Sequence, residues 1–430
     1  MRRGTDAGRP RAGALGAVAA QLAQALTSVV LSIAAARALG AEGVGVYGLC
    51  YAGIVLATAI STGLVGDSLT VLDRRDDRIR AGLQTVAVSC SVSAGFVAFA
   101  VSWAAGLLPV TEAAVFAIGT ALFLLEDTLR RLLMASMRFW SVVVVDLSCL
   151  VAVAVVLVSC AAATGLSMLH IVGALAVSQA VGAGVAIALL PEVERRVAPW
   201  RRASLGPTLR FGAWRAAQQG VRPAMLASMR WLVVAAAGVA AYGTLEAARV
   251  YTAPALLVVN GVGGFLFASY AAGRERGVPD LLRRADRGAL VMAGAVVGLG
   301  GLATVTAGSY AGIVTGGRFA IDPVAVLGWV VYSAGAGLLM PYGSLGAVTG
   351  RHVQVFVLRL AESLASLVAL GVVLFALEAS PRWAPATMAV GPVVLALVFR
   401  LYVLGPQARR SRAGESPAPA IEPARSFAGP

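Results

Sequence analysis

The chain has 430 residues, 59% of them hydrophobic and only 13% charged, with a net charge of +14 and a mean hydropathy of +0.82. That balance excludes a soluble globular domain and requires lipid as the solvent. All 35 basic residues are arginine, set at the ends of apolar runs and not on one soluble face among aromatics, which excludes a nucleic-acid binder.

The apolar runs are about 20 to 27 residues long, the length an α-helix needs to cross roughly 30 Å of hydrocarbon. No ~10-residue stretch of alternating polarity suggests barrel strands. The spacing predicts spans over 13–36, 44–71, 81–108, 112–134, 140–163, 166–190, 216–240, 242–270, 288–310, 323–347, 353–378 and 384–405, twelve in all. The first run lacks a small-residue cleavage site and reads as a span, not a removed signal peptide. Arginine crowds the N-terminus and the loops after even-numbered spans, as at Arg74, Arg75, Arg78 and Arg80, and at Arg274, Arg276, Arg283 and Arg284, with Arg351 and the tail completing the series. Loops after odd-numbered spans hold Arg37, Arg318 and Arg382. This bias predicts a multi-pass protein of the plasma membrane with both termini cytoplasmic.

The expected organisation is an N-terminal lobe of six helices over 1–190, a basic cytoplasmic linker over 191–215, a C-terminal lobe of six helices over 216–405 and a disordered cytoplasmic tail over 406–430. The linker carries Arg195, Arg196, Arg201 and Arg202 around Trp200 and suits anionic lipid. The tail is rich in Pro, Ala and Ser. Residues 34–48 and 234–243 share a weak pattern in which Tyr47-Gly48 matches Tyr242-Gly243, consistent with a parallel repeat of two six-helix units.

Polar residues inside the spans carry the functional information. Gln21, Gln24, Ser28 and Ser32 form one stripe on the first span, suited either to helix packing or to lining a cavity. The seventh span holds Gln218, Gln219, Arg222, Pro223 and Arg230. Arg215, Arg222 and Arg230 climb about 22 Å into the bilayer, and each deep arginine costs on the order of 2.5–3.5 kcal/mol. Either Arg230 pairs with an acid on a neighbouring helix, or it lines a wet cavity that receives an anionic headgroup. Arg249 pairs locally with Glu246 or adds a third cation to that cavity. Glu126 and Asp127 are placed to pair with Arg130 and Arg131. Asp67 and Asp146 are lone acids, suited to structural hydrogen bonding or to binding a coupling cation. Cys50, Cys90, Cys149 and Cys160 read as small hydrophobes, and His170 and His352 stand apart, so no metal site or cofactor is expected. No set of catalytic residues, and no loop large enough to hold one, points to an enzyme.

The stretch A-R-A-L-G-A-E-G-V-G-V-Y over 36–47, through Arg37, Leu39, Gly40, Gly45 and Tyr47, resembles the turn between the first two helices of polysaccharide flippases in the multidrug/oligosaccharidyl-lipid/polysaccharide exporter superfamily. Val44 stands where that family usually has an aromatic residue. The resemblance implies two pseudosymmetric six-helix lobes around a central cavity lined by the first and seventh helices, rocking between inward-open and outward-open states. It implies a polyprenyl-diphosphate-linked oligosaccharide as substrate, moved outward for cell-surface or exopolysaccharide synthesis, with membrane lipids and other polysaccharide-assembly membrane proteins as partners. Arg222, Arg230 and Arg249 suit the diphosphate, and Gln21, Gln24, Gln218 and Gln219 suit sugar or phosphate. The rival expectations are a cation-coupled drug antiporter of the same superfamily, using Asp67 or Asp146, and a non-transporting scaffold of a glycan-synthesis complex.

Overall fold

The structure, a computed structural model, describes residues 9–253, 270, 277–348 and 352–412. Among these residues no strand forms. The helices are α1 (Arg9–Ser61), which passes through a π-helical turn (Thr62–Gly66) into α2 (Asp67–Val71), then α3 (Asp77–Ala104), α4 (Val110–Ala135), α5 (Phe139–Ala163), α6 (Met168–Leu189) and α7 (Glu192–Arg195). They continue as α8 (Leu205–Tyr251), α9 (Val278–Thr315), α10 (Pro323–Val348), α11 (His352–Gly371), α12 (Ala384–Val398) and α13 (Gly405–Arg412).

Nine helical stretches among the described residues are long and apolar enough to cross a membrane. Two of them bend at a glycine: the α1–α2 run supplies the first two spans, α8 supplies the seventh and the start of the eighth, and α4 supplies the fourth span despite its charged residues. The twelve expected spans therefore all fall on helices, the eighth as far as residue 253. Its remainder, the arginines at 2, 3, 274, 276 and 351, and the tail after Arg412 lie outside the described residues. The chain is an all-α, polytopic membrane fold. Many large apolar side chains accordingly face outward, among them Val88, Val92 and Phe96 along one face of α3.

Three local expectations are corrected. Between the first two spans there is no loop, and between the seventh and eighth the break lies at 238 and not 241; at each a single residue turns the chain, Gly40 (φ 72°, ψ −162°) and Gly238 (φ 84°, ψ 169°). Both sit in a backbone region essentially open to glycine alone. Residues 205–215, expected in the linker, form the first turns of α8, because nothing after Pro207 breaks a helix until Pro223. Residues 406–412, expected in the tail, continue the helix that starts at Gly405, since Pro406 stands in the first turn where proline is tolerated.

The chain packs as two units, Met1–Val250 with Tyr310–Ala320, and Tyr251–Ser309 with Ile321–Pro430. The seventh span and the start of the eighth thus pack with the first six spans, a grouping different from the six-and-six lobes. Backbone contacts through glycine account for it. A Cβ on Gly243 would collide with the carbonyl oxygen of Ala41, and one on Gly45 with that of Val239. Each glycine lies five residues after its kink and meets the residue that follows the partner's kink. Nearer the other end of these helices, Gly63 in the π-helical turn admits the backbone of Ala216, and Gly212 admits Leu64. Segment 310–320 joins the same unit where Gly316 (φ 62°) lies against the aliphatic stem of Arg37.

This reciprocity corrects the register of the internal repeat. Gly40 matches Gly238, Ala41 matches Val239, Gly45 matches Gly243 and Gln21 matches Gln219; Tyr242 falls three residues short of the position equivalent to Tyr47. In the second unit, α10 packs on α12, with Val355, Leu395 and Phe399 in one core and Tyr270, Leu281, Leu345 and Leu404 in another. Arg400 pairs there with Asp286 at 2.7 Å, and Tyr342 donates to the same carboxylate at 3.0 Å.

Gly243→Val is expected to destabilise by about 1–3 kcal/mol or more through overpacking, read as a lower midpoint of thermal unfolding in detergent. At Gly53 a Cβ would meet nothing within 4 Å, so Gly53→Ala is expected to be neutral or to stabilise by about 0.5–1 kcal/mol. Equal responses would refute the tight crossing.

Candidate functional site

Three polar clusters lie inside the first unit. The deepest in sequence terms follows the Gly238 kink. Arg249, one turn after Glu246 on α8, donates from Nη2 to Oε1 at 2.6 Å and from Nε to both carboxylate oxygens at 3.0 Å. Tyr242 donates to Oε2 from the preceding turn at 2.8 Å. From the other limb of the same kinked helix, Arg230 brings its Nε to 3.9 Å from Oε2. Glu246 is 2% exposed and Arg230 8%, so a pair of arginines shares one buried carboxylate and the group holds one excess positive charge. Nε of Arg230 makes no hydrogen bond. Gly48 lets the glutamate in, since a Cβ there would fall 2.8 Å from its Cγ.

The second cluster joins α4 to α5. Arg130 is 3% exposed and reaches Asp146 at 2.7 Å, Asp127 at 3.3 Å and Glu126 at 3.8 Å. Arg131 pairs with Asp127 at 2.6 Å. Beside these acids is a cavity of about 20 Å³ lined by Gln24, Ser28, Tyr51, Glu126, Asp146 and Gln179, among others, room for one water-sized guest. Oε1 of Glu126 and Oε1 of Gln179 are buried there without a hydrogen bond. The third cluster joins the start of α2 to α8: Arg215 donates to Asp67 at 2.7 Å and to Gln218 at 3.1 Å.

Of the residues singled out in the sequence, Arg230 and Arg249 come together, through Glu246. Gln24 and Asp146 meet at the small cavity, and Gln218 and Asp67 meet at Arg215. Gln21, Gln219 and Arg222 are exposed. Both candidate coupling acids are held in ion pairs with arginine. In the turn motif Gly40 is the kink, Leu39 packs on Gly43, Gly45 is the crossing, and Tyr47 is buried and stacked on Tyr51 with centroids 5.8 Å apart. The partnership of Asp146 with Arg130 and the place of Gln179 at the cavity carried no signal in the sequence, because each joins residues on different helices. Among the described residues no group of three or more His, Cys, Asp or Glu is arranged to hold a metal ion. His170 instead accepts the Ser167 amide at the start of α6.

Arg249→Met is expected to lower stability by about 3–5 kcal/mol, because it strips a buried carboxylate of its guanidinium hydrogen bonds. Arg230→Met, which leaves Glu246 bonded to Arg249 and Tyr242, is expected to change it by less than about 1 kcal/mol. Thermal unfolding of the detergent-solubilised variants checks the order, and a larger loss for Arg230→Met overturns it.

No family model matches the sequence, and no curated protein is similar to it in sequence. Solved structures do match in fold. An inward-facing multidrug resistance MATE family transporter of the MOP superfamily superposes with a TM-score of 0.68 at 14% identity, covering 91% of this chain and 95% of the other. An outward-facing structure of such a transporter gives 0.62 at 16% identity, covering 94% and 95%. A MOP superfamily transporter from Pyrococcus furiosus, described as having a binding pocket of reverse polarity that suggests a different function, gives 0.60 at 16% identity over 94% and 95%. The chain has the fold of the MATE transporters of the MOP superfamily.

Proposed function

We propose that this protein is an alternating-access transporter of the cytoplasmic membrane that flips a polyprenyl-diphosphate-linked oligosaccharide to the outer leaflet for cell-surface or exopolysaccharide synthesis. The observation that carries the reading is the pair of arginines on one buried glutamate. Inside a membrane-spanning helix an unbalanced guanidinium is costly, and its planar set of donors suits a phosphate oxyanion through charge-assisted, bidentate contacts. Arg230, with the looser hold on Glu246, is the group freer to turn toward a diphosphate, and Arg249 keeps the glutamate in place. The fold supports transport, since similar chains are seen facing inward and facing outward. The reverse polarity described for the Pyrococcus furiosus protein supports the idea that this fold accommodates binding regions of either sign.

A cation-coupled antiporter is the second reading, and one observation favours it. The small cavity beside Glu126 and Asp146 presents unsatisfied oxygens, Oε1 of Glu126 and of Gln179, the donor type that a small cation takes. The two readings differ in cargo. Polyprenyl-linked lipids extracted from a strain lacking the gene, from the same strain carrying the wild-type gene and from one carrying Arg230→Met are to be compared by mass spectrometry. A lipid-diphosphate oligosaccharide should accumulate in the first and third and not in the second. An unchanged lipid profile without the gene would sink the flippase reading and leave the antiporter.

A further inference from the structure

From the end of α6 to the start of α8 the chain runs as a strap over residues 190–204, tied to the protein along its length. Gln84 on α3 clamps it from both sides of its amide, donating to the Arg196 carbonyl at 2.9 Å and accepting from the Ala198 amide at 3.0 Å. The Ser204 amide donates to the Arg78 carbonyl at 3.0 Å, a close approach that Gly82 permits. Arg74 pairs with Glu194 at 3.5 Å. Arg195 gives its guanidinium to the terminal carbonyls of α6, Leu190 at 2.8 Å and Ala188.

Pinned in this way, the strap cannot fold its remaining side chains inward. Val193 is 55% exposed, Val197 87% and Trp200 72%. Arg196, Arg201 and Arg202 are exposed beside them, with Glu192 the exposed acid and Glu194 held by Arg74 on the same stretch, and the Arg201 guanidinium lies over the Trp200 ring at 5.6 Å. The apolar surface continues onto α8 through Leu205 and Leu209, one turn apart and both exposed. The strap joins the end of one membrane-spanning helix to the start of another.

We propose that this strap is a docking surface for anionic phospholipid. Trp200, Val193 and Val197 enter the interfacial layer, where tryptophan's amphipathic ring is favoured, and Arg196, Arg201 and Arg202 bind headgroup phosphates. Charge complementarity and the continuity of the apolar face with a spanning helix favour lipid over a soluble protein partner. The proposal does not depend on what the protein transports.

The test uses the full chain in lipid nanodiscs with and without phosphatidylglycerol, beside Trp200→Phe; the difference between the two emission spectra isolates Trp200. With phosphatidylglycerol present, this emission should be quenched by phospholipids brominated near the headgroup end of their chains and be shielded from aqueous iodide. The triple change Arg196→Gln, Arg201→Gln, Arg202→Gln, or omission of the anionic lipid, should cut the bromolipid quenching at least about twofold. Quenching of Trp200 by iodide and not by brominated lipid would overturn the proposal and indicate a surface for a soluble protein. Bromolipid quenching that ignores phosphatidylglycerol would overturn its anionic selectivity.

Discussion

The contact on which the first unit depends is the reciprocal crossing of two bent helices, Gly45 on the carbonyl of Val239 and Gly243 on the carbonyl of Ala41. A backbone is approached this closely only where the residue facing it lacks a side chain, the same logic that places small residues at helix interfaces in membranes. The bends themselves need φ above +70° at Gly40 and Gly238. Four glycines therefore determine where the two helix pairs meet, and the side chains around the crossing take what space is left. Tyr47 and Tyr242, both buried, fill it.

Pseudosymmetry at the crossing explains why the charged group forms on one helix pair only. With Gly40 matched to Gly238, the positions equivalent to Arg230, Glu246 and Arg249 are Ser32, Gly48 and Tyr51. Glu246 needs Gly48 opposite it, so a glutamate in both copies would clash at the axis. One copy carries the charge and the other makes room. Tyr51, the counterpart of Arg249, instead makes a T-shaped contact with Phe123, with centroids 6.4 Å apart.

Helix number and span position were legible in the sequence because apolar length and arginine placement are local signals. The bend at Gly40 reads as a loop over 37–43 in the sequence, since a break in hydropathy looks the same whether one residue or several make the turn, and the bend at Gly238 reads three residues late. The register of the repeat was missed for a related reason: the Tyr-Gly pair is conspicuous as a word, while the physical match lies in carbonyl oxygens facing glycines, which no side-chain pattern displays. Arg230 was singled out correctly as costly, and both of its possible roles were open. The structure places Glu246 within 3.9 Å of it without removing the excess charge, because the same carboxylate is already engaged by Arg249.

The two buried clusters of the first unit are unbalanced in opposite senses. Arg130 and Arg131 face Glu126, Asp127 and Asp146, a formal excess of one negative charge, whereas Arg230 and Arg249 face Glu246, an excess of one positive. Apolar residues of similar volume would pack at these sites with equal or greater stability. Retaining both is therefore a burden on folding that function has to justify. On the flippase reading, the positive cluster meets the diphosphate and the negative one, beside its small polar cavity, is where a cation moving in the opposite sense would be held.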